Sequence, residues 1–230
     1  GLEHFLRFEQ DSKVFIFLLA LSFSLAAFDW IMSIDAHWFS TIFAVKNFIA
    51  AFYHGSTIVM LVILILHRKG HFPFLNKHHL HDFSRYIFML AIVWGYLWFS
   101  QFMLIWYANI PEETYYYVSR LKTAPWNILF FTNIIVNWAV PFVLLMPRKP
   151  SRSIPVIAGV ILLLIPGQWI DLYLQIMRGT TGQFEFGLIE AGSFLGYAGL
   201  FALVVAYTLS RASLIPKNHP YLEESLEHEF

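Results

Sequence analysis

The stretch FSTIFAVKNFIAAFYHGSTIVMLVILILH, Phe39–His67, decides the fold class. Its 29 residues hold one lysine, Lys46, one internal histidine, His54, and no acid. A helix needs roughly 20 apolar residues to cross the hydrocarbon core, where every backbone group must be satisfied within the segment. Phe39–His67 meets that requirement, and five further runs resemble it: Lys13–Asp35, His81–Asn109, Pro125–Met146, Arg152–Met177 and Gly187–Ser210. The whole chain follows suit, with 58% hydrophobic residues, 13% charged residues and a mean hydropathy of +0.59. Soluble domains carry roughly 25% charged residues. A soluble enzyme and a disordered chain are thereby excluded. Nucleic acid is not an expected partner, because 15 cations balance 15 acids and leave no basic footprint. The expected fold is all-α, a polytopic transmembrane bundle of six spanning helices.

Cationic residues set the expected orientation. Arg7, Lys13, Arg68, Lys69, Lys77, Arg85, Arg148, Lys149, Arg152, Arg211 and Lys217 fall on the side that holds both termini. Only Arg120, Lys122 and Arg178 fall on the other, and Lys46 lies within a span. Both ends are therefore expected in the cytoplasm. Residues 1–12 read as an amphipathic approach to the membrane, 13–210 as the bundle and 211–230 as a cytoplasmic tail. No signal peptide precedes the first span, and a glycine at position 1 suggests a start inside a longer polypeptide. PEETYYYVSRLK, Pro111–Lys122, reads as a periplasmic interfacial helix. Pro111 and Glu112–Glu113 suit its start, Arg120 and Lys122 its end, and the tyrosines lie at head-group level.

Two features bear on cofactors. The chain has no cysteine, which excludes disulfides, thiolate-ligated iron–sulfur clusters and c-type haem attachment. The loop between spans two and three carries His67, His71, His78, His79 and His81, but no HExxH pattern. It reads as a solvated basic loop near lipid head groups rather than a metal site. Only His54 lies deep in a span, so two histidines cannot face each other across a b-type haem.

Polar groups at membrane depth are costly and therefore informative. At about 1.5 Å per residue, Asp29 and Asp171 lie roughly 9 Å from the periplasmic ends of spans one and five. Lys46 lies about 10 Å below its end, His54 near the bilayer centre and Glu190 about one turn inside span six. Asp35 and His37 cap the first hairpin. Lys46, Ala50 and His54 share a helix face, as do Gln168, Asp171 and Gln175. Asn133 and Asn137 share another, with Pro141 a turn further on, and Gln101 sits among Trp94, Tyr96, Trp98 and Tyr107. Pro141 frees the carbonyl of Asn137, and Pro166 that of Leu162. The expected arrangement is a polar half-channel opening to the periplasm and reaching inward to His54. In it Asp171 exchanges a proton, Lys46 offsets Asp171 or Asp29, and Gln101 and Gln168 serve as relays. The plainer reading of such groups is helix–helix bonding and interface anchoring, which suits Glu190, Asp35, Asn133 and Asn137 better.

The runs FDWIMSIDAHWFSTIF (Phe28–Phe43) and FSQFMLIWYANIPEETYYY (Phe99–Tyr117), with the ending PKNHPYLEESL (Pro216–Leu226), resemble a known family. It is the ActF membrane subunit of bacterial alternative complex III, related to the NrfD and polysulfide-reductase anchors. The resemblance implies a longer subunit ending in these spans, in a bacterial inner membrane, within a complex that oxidises menaquinol. Iron–sulfur clusters and c-type haems on partner subunits would pass electrons to cytochrome c, a high-potential protein or an attached terminal oxidase. Partners would include an NrfD-like sister subunit and membrane lipids. The family's quinol pocket lies in an N-terminal helix bundle and in the sister subunit, so no quinol oxidation or cofactor is assigned to this chain. Two rival readings are a secondary transporter and a purely structural anchor. Transporters pair broken helices across repeats, whereas Pro141 and Pro166 lie in neighbouring spans.

Overall fold

A computed structural model describes residues 2–211, 213–215 and 219–226, and among these there is helix and no strand. Gly1, Lys217 and the Pro216–Asn218 part of the quoted ending lie outside the described residues. Helix α1 spans Leu2–Ala26 and runs on through a π-helical turn, Ala27–Ile31, and a 3-10 turn, Met32–Ile34. Helices α2 (Ile42–Arg68), α3 (Lys77–Ala108) and the short α4 (Pro111–Leu121) follow. The next crossing is α5 (Trp126–Ile134) joined through a π turn at Ile135–Ala139 to α6 (Val140–Leu145). Then come α7 (Ile154–Thr180), α8 (Leu188–Arg211) and the single turn α9 (Leu222–Leu226). Six helical segments among the described residues are long and apolar enough to cross a membrane.

Two helices start well ahead of the sequence reading, each for a local reason. Helix α1 already begins at Leu2, so the polar approach is one helix with the first span, braced by Lys13 and Glu9 at 2.6 Å. Helix α3 begins four residues early because Asn76 caps it: its side-chain oxygen accepts from the amides of His78 (2.8 Å) and His79 (3.0 Å). His78, His79 and His81 are thereby helical. Helix α3 ends at Ala108, capped by Asn109, whose φ of 50° lies in the left-handed region.

Helices α2, α3, α5–α6 and α7 form the centre, while α1 and α8 flank it with mostly exposed faces. A helix exposed all round would be unusual in water, but in lipid an apolar surface carries no penalty. The inner stripe of α2 shows the packing logic: Lys46, Ala50, Tyr53, Thr57, Met60 and Leu64 recur every three to four residues and all are buried. The lower part of that stripe joins Leu80, Ile87, Trp94, Ile157, Ile161 and Leu164 in one continuous apolar core. The two termini meet at one end of the bundle, where Phe5 packs edge-on against His219 (5.1 Å) and Tyr221 (5.6 Å). Helix α4 closes the opposite end.

Candidate functional site

Lys46 lies one turn inside α2, on its buried stripe, with 3% of its surface exposed. Opposite it on α7 is Asp171, 2% exposed, with Lys46 Nζ 2.6 Å from Asp171 Oδ2. Taking these two charges out of water costs several kcal/mol per ion, which the pairing offsets only if the remaining lone pairs are also bonded. They are. Asn133 Nδ2 donates to Asp171 Oδ1 (2.9 Å), and Gln175 Nε2 donates to Asp171 Oδ2 (3.0 Å). The sequence offered Asp29 or Asp171 as partner for Lys46; the structure selects Asp171.

From the carboxylate a chain of amides runs toward the middle of the bundle. Asn137 Nδ2 donates to Asn133 Oδ1 (2.6 Å) and to the carbonyl of Gly167 (2.9 Å), while Gln168 Nε2 donates to Asn137 Oδ1 (3.0 Å). The carbonyl of Asn137, which Pro141 leaves without a helical i+4 donor, accepts the Tyr53 hydroxyl at 3.1 Å. Asn137 sits in the π turn, whose extra residue swings it inward to 0% exposure. Gly167 allows the approach: a β-carbon there would lie 2.7 Å from Asn137 Oδ1. Asn133 and Asn137, read from sequence as plain helix–helix bonding, are the spine of the network. Below them the apolar core closes the path.

On the α4 side lies a cavity of about 30 Å3 lined by Lys46, Gln101, Asp171 and Gln175, with Tyr116, Tyr117 and Arg120 from α4. Gln101 Nε2 and Gln175 Oε1 are buried without a protein partner. A donor, an acceptor and the Lys46 ammonium around such a volume meet the requirements of a bound water. Gln101 thus enters the site through the cavity, and Gln168 through Asn137.

Arg120 forms the roof. It is 2% exposed, although the sequence reading placed it with Lys122 at the end of an interfacial helix. Its guanidinium donates to the carbonyls of Tyr116 (2.7 Å) and Leu174 (3.0 Å) and lies 3.4 Å from the Tyr116 ring centroid. Asp35 approaches it at 3.7 Å. Tyr116 in turn stacks on Trp38 at 3.9 Å. Tyr116 and Tyr117 are therefore buried in protein, and only Tyr115 of the three is exposed. Burial pushes the Tyr117 phenol well above its ordinary pKa and raises Tyr116 too, against the pull of Arg120, so both face the cavity as neutral hydroxyls. The two long sequence runs, Phe28–Phe43 and Phe99–Tyr117, meet here: Asp35, Trp38 and Phe43 from one, Gln101, Tyr116 and Tyr117 from the other.

Two expected members stand apart. Asp29 is on the exposed face of the π turn that ends the first span. His54 is half-buried with its Nε2 unpartnered and has no hydrogen bond to the cluster among the described residues. Eight residues of α-helix turn His54 about 80° from Lys46, whereas the seven to Tyr53 turn it only about 20° back. Tyr53 therefore takes the place expected of His54. Glu190 accepts from the amide of Gly187 at 2.8 Å, at the start of α8. No group of three or more metal-ligating side chains occurs among the described residues. No protein-family model matches the chain, and no curated protein matches it significantly.

Proposed function

We propose that this chain is an integral membrane subunit of a quinol:electron-acceptor oxidoreductase of the alternative complex III type. It anchors the complex in a bacterial inner membrane with both termini cytoplasmic, and it holds a proton-loading site at Lys46–Asp171. The observation that carries the loading site is the buried 2.6 Å ion pair with a small cavity, reached by Gln101 and Gln175, on one side and an apolar core on the other. Access is from the α4 end. A proton reaching Asp171 through the cavity neutralises the carboxylate and releases Lys46 from its counter-charge; loss of the proton restores the pair. Amide side chains orient this site but do not pass protons, so Asn133, Asn137 and Gln168 hold Asp171 rigidly while Gln101 and Gln175 hold water.

The assignment to a respiratory complex rests on the resemblance of the two long runs to ActF. Electrons would travel through haem c and iron–sulfur groups on partner subunits, next to an NrfD-like sister. The test is Asp171→Asn and Lys46→Gln in the assembled complex, with protons released per electron measured during turnover. A lower ratio at retained electron transfer is expected. An unchanged ratio with normal turnover overturns the loading site and leaves the anchoring role alone.

A further inference from the structure

At the opposite end of the bundle, α3 and the turn before α7 build a second polar site. His81 is 7% exposed and Ser151 fully buried, with His81 Nδ1 2.7 Å from Ser151 Oγ. Ser151 Oγ also donates to the carbonyl of Arg148 (3.1 Å), so its single proton is committed there and His81 Nδ1–H is the donor between them. This clamp pins the Pro147–Ser153 turn, itself closed by the amides of Ser151, Arg152 and Ser153, against the first turns of α3. The result gathers cations. Arg148 and Arg152 lie on the clamped turn, Arg85 lies one helical turn beyond His81, and all three are within electrostatic range of the His81 ring. Asp82 acts on the same ring and is itself engaged.

No carboxylate lies within 4.0 Å of Arg85, Arg148 or Arg152 among the described residues. Arg152 Nε is buried with no hydrogen-bond partner. Three guanidinium groups around one imidazole, none of them paired with a carboxylate, call for an oxyanion, and guanidinium pairs best with the two-oxygen face of a phosphate. Exposed apolar side chains flank the turn on both sides: Leu144 and Met146 before it, Ile154 after it. A phosphate carrying acyl chains fits both halves of this surface. We propose that Arg85, Arg148 and Arg152, held by the His81–Ser151 clamp, bind the phosphate of an anionic phospholipid at the membrane surface.

The experiment is thermal unfolding of the full protein in detergent titrated with dioleoylphosphatidylglycerol, dioleoylphosphatidylcholine or inorganic phosphate. The glycerol lipid should raise the midpoint saturably and the choline lipid should not. Arg152→Gln, Arg85→Gln and Arg148→Gln should each weaken the apparent lipid affinity by about fivefold. Arg85 and Arg148 are exposed, so their variants keep the test open if Arg152→Gln fails to fold. A shift with millimolar phosphate alone, lost in the same variants, supports the anion site with free phosphate as its ligand. Equal stabilisation by the choline lipid overturns the proposal. So does an equal loss in the control Arg68→Gln/Lys69→Gln, which would mark general surface attraction.

Discussion

The Tyr53 hydroxyl donates to the carbonyl of Asn137 at 3.1 Å, in the place of the amide hydrogen that Pro141 lacks. One helix thereby repairs a break in another, and the repair fixes the π turn that aims Asn137 at Gln168. Tyr53→Phe should lose about 1–3 kcal/mol, because a buried carbonyl goes unpaired. Pro141→Ala supplies the missing N–H, so most of that loss should vanish in the double variant. The thermal unfolding cycle should give a coupling of at least about 1 kcal/mol; additive effects would show that Tyr53 merely fills space.

The Lys46–Asp171 pair makes an opposite kind of prediction. Removing one charge strands the other, so Lys46→Met and Asp171→Asn should each cost about 3–5 kcal/mol. The double variant leaves no net charge, and the amide oxygen that replaces the carboxylate still accepts from Asn133. Its loss should be far below the sum of the singles. Additivity in unfolding midpoints would mean that the two side chains do not share their desolvation cost.

These contacts divide what was readable in the sequence from what was not. Hydropathy finds the six crossings because lipid imposes a length and an apolar character on each helix separately. Lys46 and Asp171 stand out for the same reason, as charges where charges are expensive. Which face meets which is another matter, since helix rotation depends on packing. A difference of one residue separates Tyr53, inside the network, from His54, outside it. The π turn at Ile135–Ala139 shifts the register of Asn137 without any sequence signal except Pro141 nearby. Arg120 was hidden by its context: beside Lys122 it reads as a cation at a helix end, and only the preceding aromatic run hints at a stacking partner.

Gly167 and Gly159 lie on one helix and should respond in opposite ways to alanine. At Gly167 a β-carbon would lie 2.5 Å from Val136 Cγ1 and 2.7 Å from Asn137 Oδ1, so α7 and the π turn must part. Gly167→Ala should cost about 1–3 kcal/mol through overpacking. It should also weaken the hydrogen bonds of Asn137. Around Gly159 nothing lies within 4 Å, and Gly159→Ala should be neutral or stabilising by up to about 1 kcal/mol through helix propensity. Comparable losses at both sites in thermal unfolding would refute close approach as the role of Gly167.

Arg120 holds α4 over the cavity by donating Nε to Leu174 and Nη2 to Gln175, both on α7. Its Nη1 and guanidinium face engage Tyr116 of α4 itself and fix the fork's orientation. A lysine ammonium has neither the fork nor the flat face, so Arg120→Lys should behave like Arg120→Gln rather than like the native protein. Charge-assisted hydrogen bonds of this kind contribute about 1.5–3 kcal/mol, so α4 amides should exchange with solvent deuterium at least about tenfold faster in both variants. Asp35→Asn is the contrast. Its carboxylate is 3.7 Å from Arg120 and partly exposed, and pairs of that kind are worth about 0–1 kcal/mol. Protection of α4 should therefore survive Asp35→Asn and fail in Arg120→Lys. The reverse ranking would make the ion pair, and not the carbonyl fork, the latch that closes the cavity.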